Sequence, residues 1–212
     1  MEKIGEPDSA GRIKELVDEI IRAEWDMFST VPNAGGPAAC QSQDQTFEIM
    51  RRAQFSTWSE ESLISYRRDL AMATARGRNL MTEKYARMMS VTHPEEYAQI
   101  ESMLPAIPER VFVLVEAISA QHRMWDERVA EELPKVRGRG RTRDEEAQVG
   151  AVPTANTYLI GELLTYSEAT LDCLMRDVEA AVSNGRNLVR EQLEATVRAY
   201  GWESLDAAEA AQ

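Results

Sequence analysis

Four polar side chains stand on helical stripes whose other members are apolar, and their types are those that do chemistry. Glu24 falls on the stripe Ile13, Val17, Ile20, Met27, Val31, and Gln54 on Phe47, Met50, Trp58. His122 falls on Val111, Val115, Ile118, Trp125, Val129, and Glu162 stands between Tyr158 and Tyr166. Burying a polar group is costly unless it is hydrogen-bonded, and burying a charge costs more. The four are therefore expected either to satisfy one another in a network that fixes core packing or to converge on one interior site. A carboxylate in an apolar pocket has a raised pKa and becomes a usable base near neutrality, so Glu24 and Glu162 are the expected general bases. Arg51 in FEIMRRAQF and Lys84 suit an anionic group on a substrate. Tyr66, Tyr85, Tyr158 and Tyr166 offer hydroxyls to orient it, with Gln54 and His122 as further contacts. Arg52 and Arg87 read as solvated surface charges.

Other chemistries find less support. The Glu-x-x-His spacing of helical di-iron sites is absent, and no metal is expected, although carboxylate-rich metal binding is kept as an alternative. NAGGPAAC matches neither a P-loop nor a dinucleotide fingerprint, so no cofactor is expected. Cys40 lies in a loop with no sign of a paired histidine. The net charge of −12 argues against a nucleic-acid partner. Two cysteines without CxxC spacing place the chain in a reducing cytoplasm, and no apolar run approaches the ~18 residues of a membrane span. The local exception to the acidity is KVRGRGRTR, where Lys135, Arg137, Arg139 and Arg141 read as a docking surface for an acidic partner.

The elements that must position these residues are helices throughout, and an all-α fold is expected. Apolar periodicity predicts a first helix over about Arg12–Val31, a second from Asp44 to about Trp58, a third from Ser59 to Arg76 and a fourth over Leu80–Val91. A short fifth opens at His93-Pro94, and a long sixth spans Pro108–Leu133. Residues 58–88 align without a gap on residues 166–196 at an offset of 108, with eleven of 31 positions identical. This predicts one domain over residues 1–212 built from two duplicated halves, about 44–104 and 154–211, separated by a basic interhelical loop at 134–153. The second half then repeats helices at 154–166, Ser167–Asn184, Leu188–Tyr200 and 203–211. The tetrapeptide GRNL occurs in both halves, at 77–80 and 185–188. Its glycine suits a helix stop at positive φ and its asparagine the N-cap of the next helix. By the same offset Gln54 pairs with Glu162, so the two halves differ there in ionisable chemistry.

The strings EWDMF (24–28), NAGGPAACQ (33–41), FEIMRRAQFSTWS (47–59), GRNLMTEKYARMM (77–89) and TYLIGELLTYS (157–167) resemble a bacterial family known as domain of unknown function 4125. The resemblance covers nearly the whole chain. It departs from the family where GGRA is usual and GGPAA stands here, while LPKVRGRGRTR stays close to the usual charged segment. A narrower resemblance is to the small subunit of aziridine-forming complexes of azinomycin-type and vazabitide-type biosynthesis. That resemblance implies a cofactor-independent enzyme subunit acting with a larger partner protein in a hetero-oligomer. Its substrate would be an amino acid on an acidic amino-group carrier protein, closed to an aziridine by intramolecular amine attack with loss of sulfate. The other reading is a non-catalytic helical subunit that stabilises or regulates a partner enzyme.

Overall fold

In a computed structural model that describes residues 9–33, 36, 38–143 and 152–211, every regular element among those residues is helical. The chain runs through α1 (Ser9–Phe28), α2 (Asp44–Phe55), α3 (Glu60–Ala75), α4 (Leu80–Thr92), α5 (Pro94–Ile100) and α6 (Glu109–Glu132). It continues through α7 (Pro134–Gly138), α8 (Ala155–Leu163), α9 (Glu168–Ser183), α10 (Leu188–Ala199) and α11 (Leu205–Ala210). The expected all-α fold is thus what the chain adopts, with helix ends shifted by up to three or so residues from those expected. No helix among the described residues is long and apolar enough to cross a membrane.

The GRNL corners show how local sequence sets the path. Gly77 and Gly185 take φ 66° and 65°, the left-handed backbone that ends α3 and α9 without a Cβ penalty. Asn79 then accepts from Thr82 N–H at 2.9 Å, and Asn187 from Arg190 N–H at 3.0 Å, which satisfies an orphan donor of α4 and of α10. The same asparagines pin each corner to a neighbour, donating to the Met27 carbonyl at 2.8 Å and the Trp125 carbonyl at 3.0 Å. Arg78 and Arg186 each grip the glutamate five residues on, Glu83 and Glu191.

A reciprocal exchange joins α3 to α9. Asp69 on α3 accepts from Ser167 N–H and the Thr170 hydroxyl at 2.9 and 2.7 Å, at the start of α9. Asp177 on α9 accepts from Ser59 N–H and the Ser62 hydroxyl at 3.0 and 2.6 Å, at the start of α3. A carboxylate at a helix N-terminus also meets the positive end of the dipole.

Two apolar clusters form the core. The larger gathers Ile20, Phe55, Leu63, Leu70, Val115 and Leu171 with their neighbours from α1, α2, α3, α6 and α9. The smaller, around Val129, Leu133, Val136, Val197 and Leu205, joins α6 and α7 to α10 and α11. Val189 on α10 packs against both.

The basic loop expected at 134–153 is corrected at its start, where Pro134 supplies the preset φ of a helix N1 position and opens α7. Residues 144–151 of that loop, and Gly35 and Pro37 of the GGPAA stretch, lie outside the described residues.

Candidate functional site

Glu24, Arg51, Gln54, Tyr66, Lys84, Glu162 and Tyr166 meet in one buried network drawn from α1, α2, α3, α4, α8 and the residues just after α8. Arg51 is its hub. The Arg51 Nε donates to Glu24 Oε2 at 2.6 Å, Nη2 donates to Glu24 Oε1, and Nη1 donates to Glu162 at 3.0 and 3.2 Å. Tyr66 donates to Glu24 Oε1 at 2.6 Å. Glu162 also accepts from the Gln54 amide at 2.8 Å, the Tyr166 hydroxyl at 2.6 Å and the Lys84 ammonium. Two carboxylates facing two cations leave the cluster neutral, which is how a buried charge set avoids the cost of isolation.

The network revises three expectations. Arg51, expected to meet an anionic group on a substrate, is 7% exposed, and both its faces are taken by glutamates. It holds Glu24 and Glu162 in place instead of reaching a substrate. Glu162 does not have the raised pKa expected of a base, because Arg51 and Lys84 outweigh its burial and keep it well below the usual carboxylate range. Burial does raise Glu24, against the pull of Arg51, but Glu24 is 0% exposed and so sealed from solvent. Lys84 is lowered by burial, against the pull of Glu162.

Helix packing brings Lys84 to Glu162. Gly161 lets α8 lie close on α4: a Cβ there would stand 2.6 Å from Met88 Cγ and 3.1 Å from the Lys84 carbonyl. Tyr85 and Tyr158 meet edge to face at 6.4 Å, and burial pushes the Tyr85 phenol up to about 12.

A cleft of about 630 Å³ runs between α2, α6, α8 and α10, along the seam of the two apolar clusters. Leu159, Leu174, Val189 and Leu193 supply apolar wall, and Gln54, His122, Tyr158 and Glu162 are among its polar lining. Arg139 and Arg141 line it too, and the Arg141 guanidinium lies 3.8 Å from the Tyr158 ring centroid, a cation–π contact.

His122, like Tyr85 and Tyr158, stays outside the network. Its Nδ1 lies 2.9 Å from the Ile118 carbonyl, which only accepts, so Nδ1 carries the proton. Burial lowers its pKa, so the ring is neutral and Nε2 keeps its lone pair, with no hydrogen-bond donor to it among the described residues. Trp125 packs against the ring at 5.3 Å. Asp126, one turn on from His122, was missed in the sequence; it pairs with both Nε and Nη2 of Arg137 and so ties α7 to α6 where both line the cleft.

Arg137 thereby corrects the docking expectation. It is buried, bonded to Asp126 and to the Arg141 carbonyl at 2.8 Å, and unavailable to a partner. Lys135 and Arg139 are exposed, with the Lys135 backbone N–H tied to Glu209 at 3.0 Å. Arg87, expected on the surface, is 6% exposed and donates to the Pro105 carbonyl at 2.8 Å. Among the described residues no group of three or more His, Cys, Asp or Glu is arranged to hold a metal ion.

A family model described as a protein of unknown function, DUF4125, matches residues 14–210. No curated protein and no solved structure matches the chain.

Proposed function

The chain belongs to the DUF4125 family, and for this member we propose a cofactor-independent enzyme subunit that closes an aziridine ring in the 630 Å³ cleft. The reading takes the substrate to be a vicinal amino sulfate ester carried on an acidic carrier protein, and the enzyme to work with a larger partner in the cytoplasm. The observation that carries it is His122, which lines a ligand-sized cleft with its Nδ1 against the Ile118 carbonyl, so that Nε2 is the nitrogen left to accept a proton. Nε2 accepts a proton from the substrate ammonium. The freed nitrogen attacks the neighbouring carbon, the C–N bond forms as the C–O bond breaks, and sulfate leaves with the electron pair. Arg139 and Arg141 are the cleft's exposed guanidiniums and the groups suited to the departing sulfate. Holding amine and leaving group in line is a positioning task for the apolar walls. Glu24, Arg51, Glu162 and Lys84 are positioning residues, which tie α1 and α4 to α2 and α8, two of the helices along the cleft.

The test is sulfate release from a vicinal amino sulfate ester by the complex of this chain with its partner. His122→Gln is expected to slow release by roughly 10²–10⁴-fold, the usual worth of a general base. Equal rates for the variant and the wild type would rule His122 out.

A second reading, a non-catalytic subunit that braces a partner enzyme, is favoured by one observation: the interior charges satisfy one another. It predicts that neither His122→Gln nor a ligand in the cleft changes the complex's turnover.

A further inference from the structure

A second pocket, of about 210 Å³, sits where the α3–α4 corner meets the segment before α6, and it shares no lining residue with the cleft. Three arginines line it: Arg76, Arg78 and Arg87. Arg78 is engaged by Glu83. Arg76 is the exposed C-cap of α3. Arg87 is 6% exposed, with the Tyr97 phenol beside its guanidinium, and its Nε, shut off from solvent, meets no acceptor at hydrogen-bond geometry among the described residues. Native chains seldom bury a guanidinium donor without an acceptor, so an unmatched one marks a place where an acceptor belongs. The backbone N–H groups of Ala106 and Ile107, on the same wall, also donate to no acceptor among the described residues.

The charges around the pocket do not cancel. Against the three arginines stand two carboxylates, Glu83 on Arg78 and Asp69 on the start of α9, which leaves one positive charge over. At the offset of 108, Arg76 and Arg87 correspond to Asn184 and Ala195, so the second GRNL corner carries neither of these two cations.

We propose that this pocket is a binding site for a small oxyanion of the sulfate or phosphate class, held by Arg87 and Arg76 with the Ala106 and Ile107 amides. Guanidinium forks and free amides match the oxygens of such an anion, and the pocket's size suits one of a few heavy atoms. The site stands apart from the chemistry proposed for the cleft and does not depend on it.

The test is thermal unfolding of the purified chain against sodium sulfate, phosphate, acetate and chloride at matched ionic strength. Sulfate or phosphate is expected to raise Tm saturably where acetate and chloride do not, and the tighter of the two identifies the anion. Arg76→Ala is expected to weaken that anion at least tenfold, as is Arg87→Gln, while Arg198→Ala, on an exposed helix face, leaves it unchanged. Should Arg87→Gln fail to fold, Arg76→Ala decides the matter alone. Equal shifts from all four salts, or a wild-type response retained in Arg76→Ala, would overturn the assignment.

Discussion

Arg51 Nη1 on α2 lies 3.0 Å from Oε1 and 3.2 Å from Oε2 of Glu162 on α8, while the rest of the same guanidinium grips Glu24 on α1. One side chain therefore ties α8 to α1 and α2, with Glu162 standing 111 residues along the chain from Arg51. Replacing Arg51 by Met leaves two buried carboxylates with one cation between them. Breaking a buried pair from one side costs about 3–5 kcal/mol, and Arg51→Met is expected to lose that much in urea unfolding. A loss below about 1 kcal/mol would show that the network contributes little to holding the helices.

The helices and their corners were legible because periodicity, Gly stops and Asn caps are local signals. That Glu24, Gln54 and Glu162 converge was legible too, as polar residues out of place on apolar stripes. The hub was not. Arg51 lies off the stripe of Phe47, Met50, Gln54 and Trp58, and the face that α2 buries most deeply is the one carrying Arg51 and Phe55, which the apolar pattern did not single out. Glu162 was misjudged for the same reason: a raised pKa follows from burial alone, and sequence cannot show that two cations arrive from other helices. The burial of Arg137 depended likewise on Asp126, a partner eleven residues earlier on another helix.

Two glycines are expected to respond for different reasons. Gly161→Ala drives a methyl into Met88 and the Lys84 carbonyl, an overpacking that costs about 1–3 kcal/mol and spreads α4 from α8. Gly77→Ala meets nothing within 4 Å but forces a Cβ into φ 66°, at a cost of about 1–2 kcal/mol. Since only the first disturbs Lys84 and Glu162, only Gly161→Ala is expected to alter the acid-unfolding profile. A Gly161→Ala protein as stable as the wild type would contradict the close approach.

Stability should fall on the acid side. Glu162 binds its proton less readily folded than unfolded, so its contribution is present above its unfolded value of 4.5 and is lost as pH falls towards the depressed folded one. His122, also depressed, acts in the same direction from 6.5 downwards, while Glu24, raised, opposes it. Unfolding free energy is expected to decline below pH 6.5 and more steeply below 4.5. Glu162→Gln should be less stable at pH 7 and flatter between pH 4.5 and 2. An unchanged acid slope in that variant would show that Glu162 is not the group being titrated.

The exchange between Asp69 and Asp177 predicts matched losses. Each carboxylate accepts a backbone N–H and a hydroxyl at the other's partner helix, and hydrogen bonds to a charged group contribute about 1.5–3 kcal/mol. Asp69→Ala and Asp177→Ala should lower stability by similar amounts in that range. A large loss from one and none from the other would show that the two ends of the exchange do not carry equal weight.

That Nε2 is the unprotonated nitrogen of His122 is open to direct measurement because the sequence holds two histidines, His93 and His122. With ¹⁵N-labelled histidine, imidazole NMR reports protonation and tautomer for each ring, and the spectrum of His122→Gln assigns them. The account predicts that His122 is neutral at pH 7 with its proton on Nδ1, titrates below 6.5, and shifts at Nε2 when a vicinal amino sulfate ester is added. A proton on Nε2, or an Nε2 signal that the ester leaves unmoved at saturation, would contradict it.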